Sequence, residues 1–177
     1  MTITSNYFDN FIKKKLTLRR DVFTPNLTSR LSYETANQNI AKNTSVLDLG
    51  CGSGVIGILI KKNKKIKLYC SDTHLKSVVL TKKNLKKNKI SAVVKQGNLF
   101  KPWNGLKFDY IINDVSAISS LIASKSKWFS TNIPSNCGKD GTNLSIKVIK
   151  YAKKFLNKRG ILQLPLLSLS DIEKVKK

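Results

Sequence analysis

The sequence predicts an α/β domain in which helices cover both faces of a doubly wound, mostly parallel sheet. Short apolar runs alternate with amphipathic segments along the chain, and glycines alternate in a turn after residue 49. Aspartates follow several of the apolar runs. Alternating strands and helices form a parallel sheet, whose ligand crevice lies at the carboxyl ends of the strands. The length of 177 residues suits one such domain.

The first 28 residues are expected to form an arm that could cap a substrate, and residues 29–177 the sheet domain. Aromatic and apolar side chains precede a run of lysines, which suits either a short amphipathic helix or a mobile basic arm. These residues are Tyr7, Phe8, Phe11, Ile12, Lys13, Lys14 and Lys15. Short strands are predicted at residues 16–18 and 22–23, before a turn at Pro25.

Apolar periodicity predicts the elements of the sheet domain in order. Strands are predicted over residues 46–49, 66–71, 92–95, 108–112 and 161–167. Helices are predicted from Thr28 or Ser29 to about 42, over 55–62 and 74–88, from Leu144 to an end at Gly160, and from Asp171 onward. Residues 115–140 read as a long irregular loop, and a loop of that length in a compact domain is often functional.

The turn after the first strand carries the strongest signal for a ligand. It reads Asp48-Leu49-Gly50-Cys51-Gly52-Ser53-Gly54, and an apolar helix follows at once. Glycines let the backbone turn sharply and leave its N–H groups open to a ligand at the positive end of the next helix. A nucleotide-like ligand is therefore expected.

Acidic residues are scarce, and four of the ten are predicted at strand ends or in the long loop. They are Asp48, Asp72, Asp114 and Asp140. Asp72 follows the glycine turn by about 20 residues, where an acid can bind both hydroxyls of a ribose. A helix N-cap is the structural alternative for Asp72, and the two roles are compatible.

The formal charge of +23 favours acidic partners such as RNA, ribosomes or anionic membrane surfaces. Nearly all of these cations are lysines, which can reflect a coding skew, so charge alone leaves nucleic-acid contact open. The three cysteines show no CxxC spacing and His74 is the single histidine, so no metal site is expected. The sequence contains no long apolar span, so a cytoplasmic protein without membrane contact is expected.

Two ligand classes fit the glycine turn. The segment from Gly52 to Gly57 matches GxGxxG, although this dinucleotide pattern begins two residues late. Asp48 followed by Gly50-x-Gly52-x-Gly54 instead resembles the first motif of class I S-adenosylmethionine-dependent methyltransferases. This resemblance implies a Rossmann-like methyltransferase fold, with S-adenosylmethionine as cofactor and S-adenosylhomocysteine as product. It implies contacts with that cofactor from Pro25, Asp48, Gly50, Cys51, Gly52, Ser53, Gly54, Asp72, Thr73, Asn98, Leu99 and Asn113.

Further segments look like the HemK/PrmC protein-glutamine N5-methyltransferases. They are Val22-Phe23-Thr24-Pro25, Gln96-Gly97-Asn98-Leu99-Phe100, Phe108-Asp109-Tyr110-Ile111-Ile112-Asn113 and Cys137-Gly138-Lys139-Asp140-Gly141. In that family the fourth strand ends in Asn-Pro-Pro-Tyr, which grips a planar amide or an exocyclic amine. Here Asn113 is followed by Asp114-Val115-Ser116. The resemblance implies that Asn113 orients a nitrogen nucleophile. Asp114 is expected to assist proton removal or to attract a cationic substrate, and a solvated loop acid is the structural alternative for it.

Three surface features complete these expectations. The sequence stops about ten residues after its predicted fifth strand, before the two strands that normally follow in this class. Either the chain is truncated, or a second copy could cover that edge in a homodimer. Trp128 and Phe129 could stack on a substrate or pack the long loop down. The basic residues expected beside the crevice, where they would guide an acidic substrate, are Lys13, Lys14, Lys15, Arg19, Arg20, Lys125, Lys127 and Lys139.

The leading hypothesis is an N-methyltransferase that acts on a protein glutamine, with a ribosome-associated or translation protein, or RNA, as macromolecular partner. A base amine of RNA or DNA is the alternative acceptor. The altered residues after Asn113 also permit a module that binds S-adenosylmethionine without catalysis. A nicotinamide-dependent oxidoreductase is the third class, and no catalytic base for it is visible.

Overall fold

The computed structural model describes residues 5–115, 118–125, 137–167 and 170–176, and it contains one five-stranded parallel sheet with strand order β3-β2-β1-β4-β5. The strands are β1 (Ser45–Leu49), β2 (Lys67–Asp72), β3 (Val93–Gln96), β4 (Phe108–Ile112) and β5 (Leu156–Gln163). The chain reverses its direction of travel across the sheet between β3 and β4. Crevices at such a switch point lie at the carboxyl ends of the central strands. The predicted fold class is confirmed.

Helices cover both faces of this sheet. They are α1 (Ser5–Lys15), α2 (Leu27–Asn39), α3 (Val55–Asn63), α4 (Leu75–Lys87), α5 (Ser120–Lys125), α6 (Asn143–Phe155) and α7 (Ile172–Lys176), with a 3-10 turn at Lys101–Trp103. One core cluster joins α1, α2 and α3 to the sheet around Tyr33 and Leu59. The other joins α6 to the opposite face around Trp103 and Phe108.

The N-terminal residues pack against the core as a helix. Phe8 is buried in α1, and its ring stacks on that of Tyr33 in α2 with centroids 5.9 Å apart. The amphipathic helix is therefore the correct alternative of the two left open by the sequence. The predicted domain boundary at residue 28 stays a prediction.

The short strands predicted at residues 16–18 and 22–23 are wrong. Neither segment pairs with a strand. The backbone N–H of Thr17 donates to Asn84 Oδ1 at 2.8 Å, and Asn84 Nδ2 donates to the Thr17 carbonyl at 3.1 Å. A helix side chain thus bonds the backbone groups that a neighbouring strand would otherwise bond.

The boundary between α6 and β5 also differs from the sequence prediction. The helix ends at Phe155, and β5 begins at Leu156, five residues earlier than predicted. Gly160 does not end the helix, because it lies within β5, where the register against β4 shifts between Phe108 and Tyr110. A Cβ at Gly160 would lie 3.0 Å from the Phe108 carbonyl oxygen, so the strands meet closely there. The predicted irregular loop contains α5, and Trp128, Phe129 and Lys127 lie outside the described residues.

The basic run at the end of α1 lies far from the expected crevice. Asn88, which follows α4, donates through Nδ2 to the Lys15 carbonyl at 3.0 Å, and Lys87 Nζ donates to the Leu16 carbonyl at 3.1 Å. Helix α4 runs antiparallel to the strands, so its C-terminal end lies at the edge where the strands begin. The placement of Lys13, Lys14 and Lys15 beside the crevice is wrong, because α1 ends at the C-terminus of α4 rather than at its start.

No helix in the described part of the chain has both the length and the apolar character needed to cross a membrane.

Candidate active site

The loop between β1 and α3 forms the floor of a cleft at the carboxyl edge of the sheet. The N–H groups of Gly50 and Cys51 both donate to the Ser71 carbonyl of β2, at 2.7 and 3.0 Å. Gly54 is the N-cap of α3 and adopts a left-handed conformation with φ +79°. These bonds bend the chain sharply out of β1 and direct the start of α3 towards the cleft.

Two of the glycines are needed for different reasons. Gly50 has φ +82°, and a Cβ on it would lie 2.3 Å from Val115 Cγ2, so a side chain cannot fit there. Gly52 has φ +53°, and a Cβ on it would have no atom within 4 Å. Gly52 lines the cleft, so the space that a side chain would fill at this position is available to a ligand.

Two buried polar side chains of α4 donate hydrogen bonds to the backbone of this loop. Thr81 Oγ1 donates to the Gly52 carbonyl at 2.9 Å, and Asn84 Nδ2 donates to the Ser53 carbonyl at 2.9 Å. Cys51 is a small, buried residue of the turn, and its Sγ lies 3.3 Å from Thr81 Oγ1. The carbonyls of Gly52 and Ser53 are therefore bonded away from the cleft. The N–H groups of Gly50, Cys51, Gly52 and Gly54 already donate within the protein, so the N–H groups open to a ligand are those of Ser53 and the first turn of α3.

Asp72 is the last residue of β2, and its carboxylate bonds both the glycine loop and the segment before α4. Its Oδ2 accepts from the Gly52 N–H at 3.0 Å, and its Oδ1 accepts from the His74 N–H at 2.8 Å. The N-cap alternative for Asp72 is wrong, because His74 is the N-cap of α4, and the bond to the His74 N–H is compatible with the predicted ligand role. An ionised carboxylate has about four acceptor positions, so sites for two ribose hydroxyls remain.

Asp48 is the buried acid of the site, with only 2 % of its surface exposed. Its Oδ2 accepts a hydrogen bond from the Gly57 N–H at 3.1 Å. The pKa of Asp48 is raised to about 7, chiefly because the side chain is buried; the carboxylates of Asp114 and Asp72 add to this rise, and the bond from Gly57 opposes it. A cationic group in the cleft would favour the ionised form of Asp48.

The loop after β3 forms the side of the cleft expected to hold an adenine. The Gly97 N–H donates to the Asp72 carbonyl at 2.9 Å, which places Asn98 and Leu99 beside the end of β2. Leu99 has φ +48°, an uncommon conformation for a branched side chain. Such conformations cluster at ligand sites, and both Asn98 and Leu99 line the cleft.

Asn113 follows β4 and lies next to the end of β1, the neighbouring strand. Its Nδ2 donates to the Leu49 carbonyl at 2.7 Å, and its backbone N–H donates to the Gln163 carbonyl at 2.9 Å. The side chain is only 3 % exposed and lines the cleft. The first bond occupies the side-chain nitrogen, so Oδ1 is the amide atom left for an N–H donor.

Asp114 differs from the solvated loop acid that was the structural alternative. Its Oδ1 accepts from Ser32 Oγ of α2 at 2.8 Å. Desolvation raises the pKa of Asp114, while hydrogen bonds from Ser29 and Ser32 act in the opposite direction. The carboxylate therefore ties the chain after β4 to the first turns of α2, and its predicted role in catalysis stays a prediction.

Residues 21–25 form the wall opposite the loop that follows β3. Asp21, Val22, Phe23 and Pro25 all line the cleft. Asp21 pairs with Arg19 at 2.8 Å and with Lys76 at 3.0 Å, and the hydrogen bond from Arg19 is the main cause that lowers the pKa of Asp21. Arg19 therefore does lie near the crevice, as expected, although Asp21 offsets its charge.

Two further acids that the sequence singled out have structural roles. Asp109 accepts from the Ser45 N–H and from Asn157, and these bonds lower its pKa although desolvation opposes them. Asp140 accepts from the Thr142 N–H at the start of α6 and pairs with Lys174 of α7. Asp140 does not line the cleft.

The cleft has a volume of about 190 Å³, and the predicted site residues converge on it. All of them except Gly54 line it. A Cβ on Gly54 would lie 3.0 Å from Thr81 Cγ2, so this glycine shapes the loop rather than the cleft surface. Lining residues that the sequence did not single out as site residues are Asp21, Val22, Phe23, Ser29, Leu49, Val55, Ile56, Ser71, His74, Ser77, Gly97, Val115 and Leu144.

A family-level match accounts for this arrangement. The model of the methyltransferase small domain matches residues 23–114, more than half of the chain. The chain belongs to this family. Membership confirms the resemblance to class I S-adenosylmethionine-dependent methyltransferases, and with it the cofactor that the sequence predicted.

Individual relatives agree with the family. Release factor glutamine methyltransferase of Borreliella burgdorferi is 32% identical over 159 residues, which are 86% of this chain and 55% of that protein. An N5-glutamine methyltransferase homologue of Methanocaldococcus jannaschii is 30% identical over 156 residues, 88% of this chain and 77% of that one. Ribosomal RNA small subunit methyltransferase C of Mannheimia succiniciproducens is 39% identical over 87 residues, 49% of this chain and 25% of that one.

Solved structures share the fold at low sequence identity. A methyltransferase from Pyrococcus furiosus superposes with a TM-score of 0.71 at 15% identity, over 97% of this chain and 81% of that one. The chain spans about half the length of the first curated relatives that it matches.

The residues of the cleft fit S-adenosylmethionine as the bound group. Gly52 leaves open space against the loop N–H groups, Asp72 keeps acceptor positions for a ribose, and Asp48 is a buried acid beside the cleft floor. When bound, this cofactor supplies a methyl group that is activated by its sulfonium.

Proposed function

We propose that this domain methylates a nitrogen of a protein glutamine side chain, as a HemK-like enzyme with a translation protein as its substrate. The observation that carries the proposal is the fixed amide of Asn113. Its Nδ2 is bonded to the Leu49 carbonyl at 2.7 Å, and its Oδ1 can accept from the N–H of a planar amide in the cleft. Catalysis then rests mainly on placing that nitrogen correctly in a site that excludes water.

The relatives support this acceptor over others. Two of them are named for glutamine methylation, and they align with 86% and 88% of this chain. The rRNA methyltransferase relative aligns with 49% of it. A protein acceptor involved in translation also favours a cytoplasmic location.

The shape of the acceptor slot differs from the family pattern. Asp114 and Val115 replace the two prolines after the asparagine, and Asp114 is bonded to Ser32 of α2. The hydrogen bond from Ser32 holds Asp114 in position, so α2 helps to shape the slot. Val115 packs over Gly50 and fixes the opposite side.

A base amine in RNA is the second candidate acceptor. The net charge of +23 and the rRNA methyltransferase relative favour it. An exocyclic amine presents the same planar N–H geometry to Asn113 as a glutamine amide does, so the slot alone does not separate the two.

One experiment separates these acceptors. The purified chain is incubated with methyl-labelled S-adenosylmethionine and an extract of its source cells, and the product is then treated with protease or with ribonuclease. We expect label that only protease releases and that yields N5-methylglutamine on complete digestion. Label released by ribonuclease would assign the RNA base amine, and no label above that of Asn113→Ala would contradict catalysis.

A further inference from the structure

Between residues 35 and 108 the acids lie at one edge of the sheet and many of the lysines at the opposite edge. Between residues 35 and 108 the only acids are Asp48 and Asp72, and both line the cleft at the carboxyl edge. The same stretch contains fifteen lysines. A coding skew can enrich lysine along the whole chain, but it does not by itself confine the acids of this stretch to one edge.

Three helix ends bring many of these lysines together where the strands begin. Helices α1, α3 and α4 all end at this edge, and the segments before β1 and β2 also meet there, because the Lys67 N–H donates to the Thr44 carbonyl at 2.8 Å. The exposed lysines of this surface, here named the amino-edge lysines, are Lys13, Lys14, Lys15, Lys42, Lys62, Lys65, Lys67, Lys86, Lys87 and Lys89.

The charge of this surface is not neutralised by ion pairs within the described residues. The ion pairs among the described residues involve Arg19, Arg30, Lys76, Lys174 and Lys176, and none of these is an amino-edge lysine. Asp109 is the acid near this edge, and its carboxylate is bonded to Ser45 and Asn157. The amino-edge lysines therefore create a strong positive potential.

Three lysines near this edge donate hydrogen bonds to backbone carbonyls, and these bonds leave their positive charge in place. Lys61 and Lys64 donate through Nζ to the carbonyls of Ile66 and Ile40, and Lys87 donates to Leu16. These bonds cover carbonyl oxygens near the helix ends, where the helix dipole would otherwise repel an anion.

We propose that the amino-edge lysines form a docking surface for the phosphate backbone of a structured RNA. Lysine binds phosphate as a point charge without reading bases, so we expect affinity with little sequence preference and a steep dependence on salt. The surface lies about 20 Å from the cleft, the length of the 13-residue helix α4, whose start borders the cleft. RNA bound there would leave the cleft open, so the domain could act on an acceptor beside the RNA.

The test compares two variants of equal net charge. Both replace five exposed lysines with glutamine in the full chain. The amino-edge variant changes Lys14, Lys62, Lys65, Lys86 and Lys89. The matched control changes Lys101, Lys125, Lys139, Lys147 and Lys150, which lie outside this surface. Circular dichroism checks that both variants melt as the parent chain does.

Binding is measured by fluorescence anisotropy with a labelled RNA duplex of about 20 base pairs over a series of KCl concentrations. We expect the amino-edge variant to lose about tenfold or more in affinity, with a shallower salt slope, since each lost phosphate contact changes that slope by about 0.9. The control variant is expected to lose less than threefold.

Three results would overturn the proposal. They are equal losses in the two variants, absence of RNA binding by the parent chain at 150 mM salt, and competition by polyglutamate as strong as that by unlabelled RNA, which would assign an acidic protein instead. The methyl acceptor does not enter this measurement, so its outcome is independent of the proposed glutamine methylation.

Discussion

The side-chain nitrogen of Asn113 lies 2.7 Å from the carbonyl oxygen of Leu49, and this buried bond joins the ends of the neighbouring strands β4 and β1 beside the cleft. It orients the one residue of the family's acceptor motif that this chain keeps. Without it the amide could rotate, and Oδ1 would no longer have a fixed position for a nitrogen nucleophile.

Asn113→Ala should reduce methyl transfer by about 100-fold, because a misplaced acceptor can cost that much. Cofactor affinity should change by only a few fold, since the loops that form the cofactor side of the cleft remain. The Leu49 carbonyl loses its donor, so the free energy of unfolding should fall by about 1–3 kcal/mol. Single-turnover transfer rates and chemical denaturation measure the two effects. An unchanged transfer rate would exclude Asn113 from placing the acceptor.

Gly52→Ala tests whether a ligand occupies the space above the glycine loop. An alanine there meets no atom within 4 Å but adopts a left-handed conformation, which costs about 1–2 kcal/mol. Gly105→Ala is the matched control, because Gly105 has φ +80°, equally open surroundings and no place in the cleft. Similar losses of stability are expected, with a tenfold or larger loss of S-adenosylmethionine affinity for Gly52→Ala alone. Equal affinities of the two variants would argue against a ligand at Gly52.

Asn84 joins the glycine loop to the segment that follows α1. Its side chain donates to the Ser53 carbonyl and also exchanges hydrogen bonds with the backbone of Thr17. Asn84→Ala should lower stability by about 1–3 kcal/mol and weaken cofactor binding, because buried backbone groups lose their partners. Asn88→Ala is the control, since Asn88 bonds Lys15 at the far edge. Calorimetry should show a loss of affinity only for the first variant, and a loss of equal size in both would contradict a role of Asn84 at the cleft.

Asp48 should make stability depend on pH in a defined direction. Its pKa is raised from 3.8 to about 7 in the folded chain, so its contribution is favourable at low pH and is lost as pH rises through 7. Asp48→Asn should therefore stabilise the ligand-free chain, and more at pH 8 than at pH 5. Asp109 has a lowered pKa, so Asp109→Asn should have the opposite sign. Thermal unfolding at both pH values measures this, and a destabilised Asp48→Asn at pH 8 would contradict the assignment.

The same shift predicts how the cofactor responds to pH. A cationic cofactor favours ionised Asp48, so S-adenosylmethionine should bind more tightly as pH rises from 6 to 8. Asp48→Asn should flatten this dependence. Titration of both chains across that range tests it, and parallel curves would place the proton on another group.

The sequence predicts the parts of this site that are local in the chain. The glycine turn, Asp72 and Asn113 each follow an apolar strand directly, so their place at the carboxyl edge follows from the α/β alternation alone. Contacts between distant segments leave no such signal. Asn84 resembles any polar residue of α4, and the bond from Ser32 to Asp114 joins residues 82 positions apart.

The errors at the chain's two ends have the same physical origin. Residues 16–18 alternate like a strand, but a buried asparagine of α4 bonds the backbone there. Leu156 continues the apolar pattern of α6, so the sequence does not show where β5 begins. Gly160 resembles a residue that ends a helix, but in the structure it allows β5 to pass close to the Phe108 carbonyl.

The most direct test of the cleft as a cofactor site is a calorimetric titration with S-adenosylmethionine, S-adenosylhomocysteine and NAD. We expect one molecule of either sulfur compound to bind per chain, no binding of NAD, and a tenfold or larger loss of affinity in Asp72→Asn. Asp140→Asn is the control, because Asp140 also accepts a backbone N–H but lies outside the cleft. Absence of binding by both sulfur compounds, or unchanged affinity in Asp72→Asn, would contradict the assignment of this cleft.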